Sequence, residues 1–557
     1  MKVKRSPVFD VIIVGAGVIG AAIARELSKY NLQVGILERN LQVGQETSSG
    51  NSGIIHGGFD PTPGSLSAKL NLLGRHSYET EWFLELNFPH KRIDSLVLAF
   101  ADLEKRELQT LYNQGIVIPG IWPISRFLLL PIMKVAFVAL SAPGHLNPMT
   151  ALARQFQSRD HDVVLISLPH AEPQASAADL EFLPYGENAF SAGFRDEFRH
   201  RMSKLQGEDA VRCSIDFLAT LTVAALNSLP AALASAGASA VVLDTYQFYV
   251  ELIPMRLGLP YVHVSNALHF DYSGYTPLCV YDWAHETTTA ALARNRKGVG
   301  RFTQMLRQAN GAMRAHAQRA GLKIDWDNPS ATISKLAWIT QTPQEFDFDN
   351  SHWPTQFHHT GPFHDGTGRT QIDFPWQRLT GEPLVYASMG TVQNGLENVF
   401  RTIVEAVGLH RDMQLVLSIG NRLDPDQIGT LPNNTIVVHQ APQLELLRRG
   451  SLCITHAGLN TVLEALAQGV PQVAIPVTHD QPGVASRIAA KKTGMVLPFQ
   501  KLSVSRLSRL IDEVLRNPVY RQNARSLQKI IAERNGPSMA ADILERAFGL
   551  TPKNASS

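Results

Sequence analysis

The 557-residue sequence predicts an α/β protein built from parallel sheets covered by helices, and three observations carry that expectation. Short apolar runs rich in Val and Ile alternate with longer runs whose apolar residues recur every three or four positions, the order of strand and crossover helix. This alternation starts three times, at Asp10, at Met133 and at PLVYASMGT, residues 383–391. A composition of 44% hydrophobic and 18% charged residues is that of ordinary globular domains with cores of normal size.

Charge and cysteine usage narrow the function classes. A formal net charge of +2 over the whole chain, with no long Lys/Arg run, excludes a dedicated nucleic-acid surface, which needs a concentrated basic patch. Cys213, Cys279 and Cys453 are too widely spaced for a disulfide framework or a Cys-based zinc site, so a reducing, cytoplasmic setting is expected. The N-terminus lacks the apolar run and small-residue cleavage site of a secretory signal. The nearest thing to a membrane span, residues 115–140, is interrupted by Arg126, Lys134 and prolines, so no transmembrane segment is expected, although peripheral membrane contact is compatible. The stretch 352–382 is rich in Pro, Gly and His and predicts a solvated interdomain linker; its four histidines match no metal-ligand spacing.

In the first block, Gly15, Gly17 and Gly20 follow the strand VIIVG and open a helix. Gly15 permits the tight turn, Gly17 lets the backbone approach a pyrophosphate, and Gly20 allows close packing of helix on strand. Glu38 ends the next strand, QVGILE, where a carboxylate can accept a ribose hydroxyl. Beyond these residues, TSSGNSGIIHGGFDPTPGSLSAKLNLLG and EWFLELNFPHKRIDSLVLAF resemble the FAD-dependent glycerol-3-phosphate dehydrogenase and 2-hydroxyglutarate oxidase family, and the resemblance fades near Ile121. It implies a partial Rossmann-type FAD-binding fragment over 1–121 and a junction over 122–132. That family's substrate domain and second half of its FAD domain are missing, so the fragment is expected to hold FAD poorly or not at all.

The second block begins with the strand KVAFVAL and the loop SAPGHL; Asn147 and Pro148 then predict the cap and first residue of the helix MTALARQFQSR. His145 is thereby placed just ahead of a helix N-terminus, whose partial positive charge would keep the imidazole neutral, as a general base requires. Asp244 ends the strand SAVVLD, a corresponding position. Its carboxylate could hold the imidazole tautomer or cap the following turn.

The third block is most specific in QAPQLELLRRGSLCITHAGLNTVLEALAQGVPQVAIPVTHDQ, residues 440–481. His456, Gly458, Asn460 and Thr461 crowd a predicted helix N-terminus, where N–H groups and the helix dipole attract a diphosphate. One turn on, Glu464 can accept ribose hydroxyls, and Asp480 with Gln481 can reach the hydroxyls of a sugar.

QAPQ, THAGLNTVLE and the terminal DQ resemble the nucleotide-sugar signature of UDP-dependent glycosyltransferases of the GT-B fold, over essentially everything from Met133 to about Gly549. The PGHLNP loop and GPFH are similar to those of the bacterial macrolide and zeaxanthin glycosyltransferases. The resemblance implies two Rossmann-like domains, an acceptor domain over 133–355 and a UDP-sugar domain over 383–549, joined by a linker over 356–382 and followed by a tail over 550–557. It also implies His145 as base with Asp244 as its partner, Ser388, Gln443, His456, Gly458, Asn460, Thr461 and Glu464 around UDP, and Asp480 and Gln481 at the sugar. Gln440 and Leu459 stand where plant relatives have tryptophans.

The chemistry expected of such a site is inverting, metal-free transfer of a hexose, with the helix dipole and His456 offsetting charge on the departing UDP. The aromatic-rich stretches YQFYVELIP and HVSNALHFDYSGYTPLCVYDW point to a lipophilic small-molecule acceptor. Two rival readings are a bifunctional protein with an FAD-dependent redox step, and an inactive nucleotide-binding interaction module.

Overall fold

The computed structural model describes residues 9–14, 18–37, 133–186, 189, 194–202, 205, 207–364, 368–369, 371–390, 397–421 and 423–550. The chain divides into two compact units, Met1–Ile132 and Met133–Ser557.

In the first unit, strands β1 (Val11–Val14) and β2 (Val34–Leu37) pair in parallel, and helix α1 (Val18–Leu27) connects them. Ile13 is buried, whereas Ile12, Val14, Ile36 and Leu37 are exposed. Gly20 lies in the first turn of α1. Gly15, Gly17 and Glu38 lie outside the described residues, as do the rest of the flavoprotein-like stretch and the junction at 122–132. The described part is one strand–helix–strand unit, and no chemistry with FAD follows from its side chains.

The second unit holds two parallel sheets. The first has the order β5-β4-β3-β6-β7-β8-β9, with β3 Lys134–Val138, β4 Asp162–Ser167, β5 Phe182–Pro184, β6 Ala238–Asp244, β7 Tyr261–Ser265, β8 Trp338–Thr340 and β9 Phe357–His359. The second has the order β12-β11-β10-β13-β14-β15, with β10 Leu384–Ser388, β11 Gln414–Ser418, β12 Thr435–Val438, β13 Gly450–Thr455, β14 Gln472–Ala474 and β15 Gly494–Val496. The helices that matter for the site are α2 (Pro143–Gln157), α3 (Gly207–Ala236), α4 (Gln443–Arg449), α5 (Leu459–Ala467), α6 (Gln481–Ala490) and α7 (Gly536–Phe548).

Both faces of each sheet are buried, which explains why the strands read as continuous apolar runs. In β3, Val135 and Phe137 join one core with α2, while Ala136 and Val138 join another with Ala225, Leu229 and Leu233 of α3. Strand β10 does the same: Val385 and Ala387 face one core, Leu384 and Tyr386 the other.

Residues 115–132 of the apolar stretch at 115–140 lie outside the described residues; among the described residues, α3 is the helix long and apolar enough to cross a membrane. Its apolar residues Leu221, Leu226, Leu229 and Leu233 pack on the first sheet, while Glu208, Asp209, Arg212, Asp216 and Asn227 are exposed. That division is the pattern of a core helix.

Two boundaries differ from the sequence reading. Strand β9 falls inside the stretch expected to be linker and pairs with β8 as the edge of the first sheet. Helix α7, expected in the UDP-sugar domain, crosses back to the first lobe, where Ala540, Ala541, Leu544 and Phe548 share a core with Leu146, Met149 and Leu152 of α2. Arg159 fastens it with ion pairs to Asp542 (2.6 Å) and Glu545 (3.0 Å).

Candidate active site

Each sheet reverses its strand order once. In the first the reversal lies between β3 and β6, and in the second between β10 and β13. Loops leaving adjacent strands at such a point diverge and open a crevice. His145 follows β3 and Asp244 ends β6; Ser388 ends β10 and His456 follows β13.

His145 Nδ1 is 2.7 Å from Asp244 Oδ2. The carboxylate can only accept, so Nδ1 carries the proton and Nε2 keeps a free lone pair, the arrangement of a general base. Asp244 also accepts from the Tyr246 backbone N–H at 3.0 Å, so it both caps the turn and holds the imidazole.

The expected cause of neutrality at His145 does not hold. Helix α2 begins at Pro143, with Ala142 as its cap and Pro148 inside it, so His145 sits within the first turn. Burial would lower the pKa of His145, but the charge and hydrogen bond of Asp244, with the charge of Asp480, outweigh it and raise the pKa above its ordinary value. Burial pushes Asp244 up, and the charge and hydrogen bond of His145 are the main effects that bring it below the ordinary carboxylate value.

Pro148 has no N–H for the carbonyl of Gly144, four residues earlier. Asn460 Nδ2 donates to that carbonyl instead, while Asn460 Oδ1 accepts from Gln341 Nε2 at 2.6 Å. Asn460, expected at a diphosphate, thus joins the His145 helix to the N-terminus of α5.

On the second sheet, the loop after β13 carries His456 past Ala457, whose φ is +66°, to Gly458, the cap of α5. Gly390 and Gly458 hem in the imidazole: a Cβ at either would lie 2.5 Å from His456 Nε2, so neither position admits a side chain without displacing the ring. Burial pushes His456 down to about 4. It is therefore neutral at pH 7 and brings no charge of its own to a departing phosphate.

Glu464 is buried, and both of its oxygens are engaged. Oε1 accepts from Arg369 Nη2 at 2.6 Å and Oε2 from Gln443 Nε2 at 2.6 Å. Gln443 Oε1 in turn accepts from the Tyr386 hydroxyl at 3.0 Å, and Thr461 Oγ1 lies 3.4 Å from Gln443 Nε2. Ser388 Oγ accepts from the Gly390 N–H at 3.3 Å.

Asp480 and Gln481 also have local partners. Asp480 Oδ2 accepts from the Leu268 N–H at 2.9 Å, across from the first lobe. Burial raises its pKa, although that bond and the charge of His145 oppose the rise. Gln481 Oε1 accepts from the N–H groups of Val477 (2.8 Å) and Thr478 (3.0 Å), which leaves its amide Nε2 as the group that can donate outward.

The structure therefore gathers His145 with Asp244, and Gln443 with Thr461 and Glu464, and ties Asn460 to the His145 helix. It adds Gln341, Arg369 and His479, which the sequence reading did not single out. His479 directly precedes Asp480 in THDQ, which was a signal; Gln341 and Arg369 have none, because their partners are remote in the chain. Next to His145, Tyr246 (5.4 Å between ring centroids) leads into an aromatic cluster with Phe270 and Phe302.

Two family models match the chain, one of them across the boundary between the two units. Residues 369–539 match the UDP-glucoronosyl and UDP-glucosyl transferase family, and residues 10–164 match the FAD dependent oxidoreductase family, a match that runs on through β3 and α2. The zeaxanthin glucosyltransferase of Pantoea ananas is 28% identical over 416 residues, covering 74% of this chain and 96% of that protein. The glycerol 3-phosphate oxidase of Mycoplasma genitalium is 51% identical over 107 residues, covering 19% of this chain and only 28% of that protein. Among solved structures, the glycotransferase of kitacinnamycin superposes with a TM-score of 0.59 at 22% identity, covering 75% of this chain and 99% of that one, which shows the GT-B fold.

Proposed function

We propose, from a second unit that carries a UDP-glycosyltransferase domain in a GT-B fold, that the protein transfers a hexose, glucose in the first instance, from a UDP-sugar to a hydroxyl of a lipophilic small molecule. The observation that supports this most is the His145–Asp244 pair at one switch point, bonded through Gly144 and Asn460 to the donor loop at the other. In this reading His145 Nε2 takes the acceptor proton as the acceptor oxygen attacks the anomeric carbon. The bond from that carbon to the diphosphate breaks, and UDP leaves with inverted configuration at the sugar.

UDP would lie along the N-terminus of α5, with its ribose at Glu464, where hydroxyls would take over from Arg369 or Gln443. The sugar would meet Asp480 and Gln481. The aromatic cluster beside His145 supports an apolar acceptor, as does the name of the Pantoea ananas relative. A cytoplasmic setting belongs to the same proposal and is supported by the three buried free cysteines.

Incubation with UDP-glucose and a panel of lipophilic alcohols, read by mass spectrometry, tests the reading. Glycoside formation is expected, and UDP binding without any product would favour an inactive nucleotide-binding module. A second, bifunctional reading is favoured by the oxidoreductase match at residues 10–164, but the chain spans only about a quarter of the glycerol 3-phosphate relatives. One flavin per purified chain would support it.

A further inference from the structure

We propose that His479 accepts a hydrogen bond from a hydroxyl of the transferred hexose and so helps select the donor sugar, an inference that rests on the glycosyltransferase reading above. The sugar of a UDP-hexose is bonded to the diphosphate at one side and attacked by the acceptor at the other. A residue that reads it must therefore lie between the donor loop and the base. His479 meets that requirement: it follows β14 and directly precedes Asp480, the cap of α6, and the nearby imidazoles of both His145 and His456 act on its ring.

The ring is held in one position by Ser214. Its Nε2 lies 2.7 Å from Ser214 Oγ of α3, on the opposite lobe. A serine hydroxyl has one proton, and Ser214 has the Ala210 carbonyl at 3.0 Å to receive it. In the tautomer we propose, His479 Nε2 carries the ring proton and donates to Ser214, which leaves the Nδ1 lone pair to accept from a ligand. No hydrogen bond to Nδ1 is made among the described residues.

The backbone supports the same picture. His479 has φ of +58°, a conformation that residues with a Cβ rarely adopt, and its flanks are fastened by the Gln481 side chain and by the bond from Leu268 to Asp480. Burial, with the two neighbouring imidazoles, pushes its pKa down to about 4, so the ring stays neutral and able to accept.

The test compares the full chain with His479→Gly, a substitution that suits the positive φ and so removes the imidazole without backbone strain. Each is assayed for kcat/KM with UDP-glucose and with donors lacking one ring hydroxyl at a time, and for UDP affinity by calorimetry. Unaltered protein should lose about 10- to 100-fold with one particular deoxy donor, the loss expected when a buried acceptor is left unpaired. His479→Gly should show that loss with intact UDP-glucose and no further loss with that deoxy donor, while UDP affinity stays the same. His479→Asn, which tolerates positive φ and presents an amide oxygen, should regain part of the discrimination.

Equal sensitivity of His479→Gly and the unaltered protein to every deoxy donor would overturn the inference, as would a parallel loss of UDP affinity. If the unaltered protein transfers no hexose from any UDP-sugar, the glycosyltransferase reading fails first and takes the inference with it.

Discussion

His145 and Asp244 are 99 residues apart in sequence, yet each could be picked out because each stands where a strand of a parallel sheet ends. What the sequence could not show was the sign of their coupling. The raised pKa of His145 means that its base form is gained as pH rises through a value above 6.5. The acidic limb of kcat/KM against pH is thus expected above 6.5. Asp244→Asn removes the charge that holds the pKa up, leaving burial to lower it, so the limb should move down while the plateau rate falls. A limb unmoved by Asp244→Asn would assign it to another group. His145→Ala should reduce turnover by about two to four orders of magnitude with UDP affinity nearly unchanged. Glu464→Ala and His456→Ala should weaken UDP binding, measured by calorimetry; unchanged affinity in both would remove the donor site from the N-terminus of α5.

At the scale of elements, the parallel sheets and the strand–loop–helix units could be read from alternation and from loop chemistry, whereas the start of α2 could not. Two prolines, Pro143 and Pro148, lie in one stretch, and sequence favours the one preceded by a capping Asn. The structure starts the helix at Pro143 and tolerates Pro148 inside it because Asn460, 316 residues away, occupies the carbonyl that Pro148 leaves open. Local pattern carries no trace of such a compensation. Asn460→Ala is accordingly expected to cost about 0.5–1.5 kcal/mol in urea unfolding, and less when combined with Pro148→Ala, whose N–H gives the Gly144 carbonyl a helical partner. Additive costs would mean that the two residues are not linked through that carbonyl.

For the whole molecule, the three starts of the strand–helix alternation fall at β1, β3 and β10, but do not say how the last helix is assigned. The amphipathic pattern of α7 marks a buried face without naming the lobe it meets, so sequence alone groups 536–548 with the UDP-sugar domain although its core residues pack on α2. Leu544→Ala should therefore destabilise the acceptor lobe by about 2–5 kcal/mol, with hydrogen exchange accelerated in α2. The first unit's described part contributes a helix and two strands, whereas β3 onward holds both switch points, His145 and the loop that carries His456. Under the proposed function, transfer activity is expected of residues 133–549. The most direct measurement is hexose transfer from UDP-glucose to lipophilic acceptors by a chain beginning at Met133, set beside the full chain. Equal kcat/KM for the two is the expected result, and loss of transfer on removing residues 1–132 would contradict it.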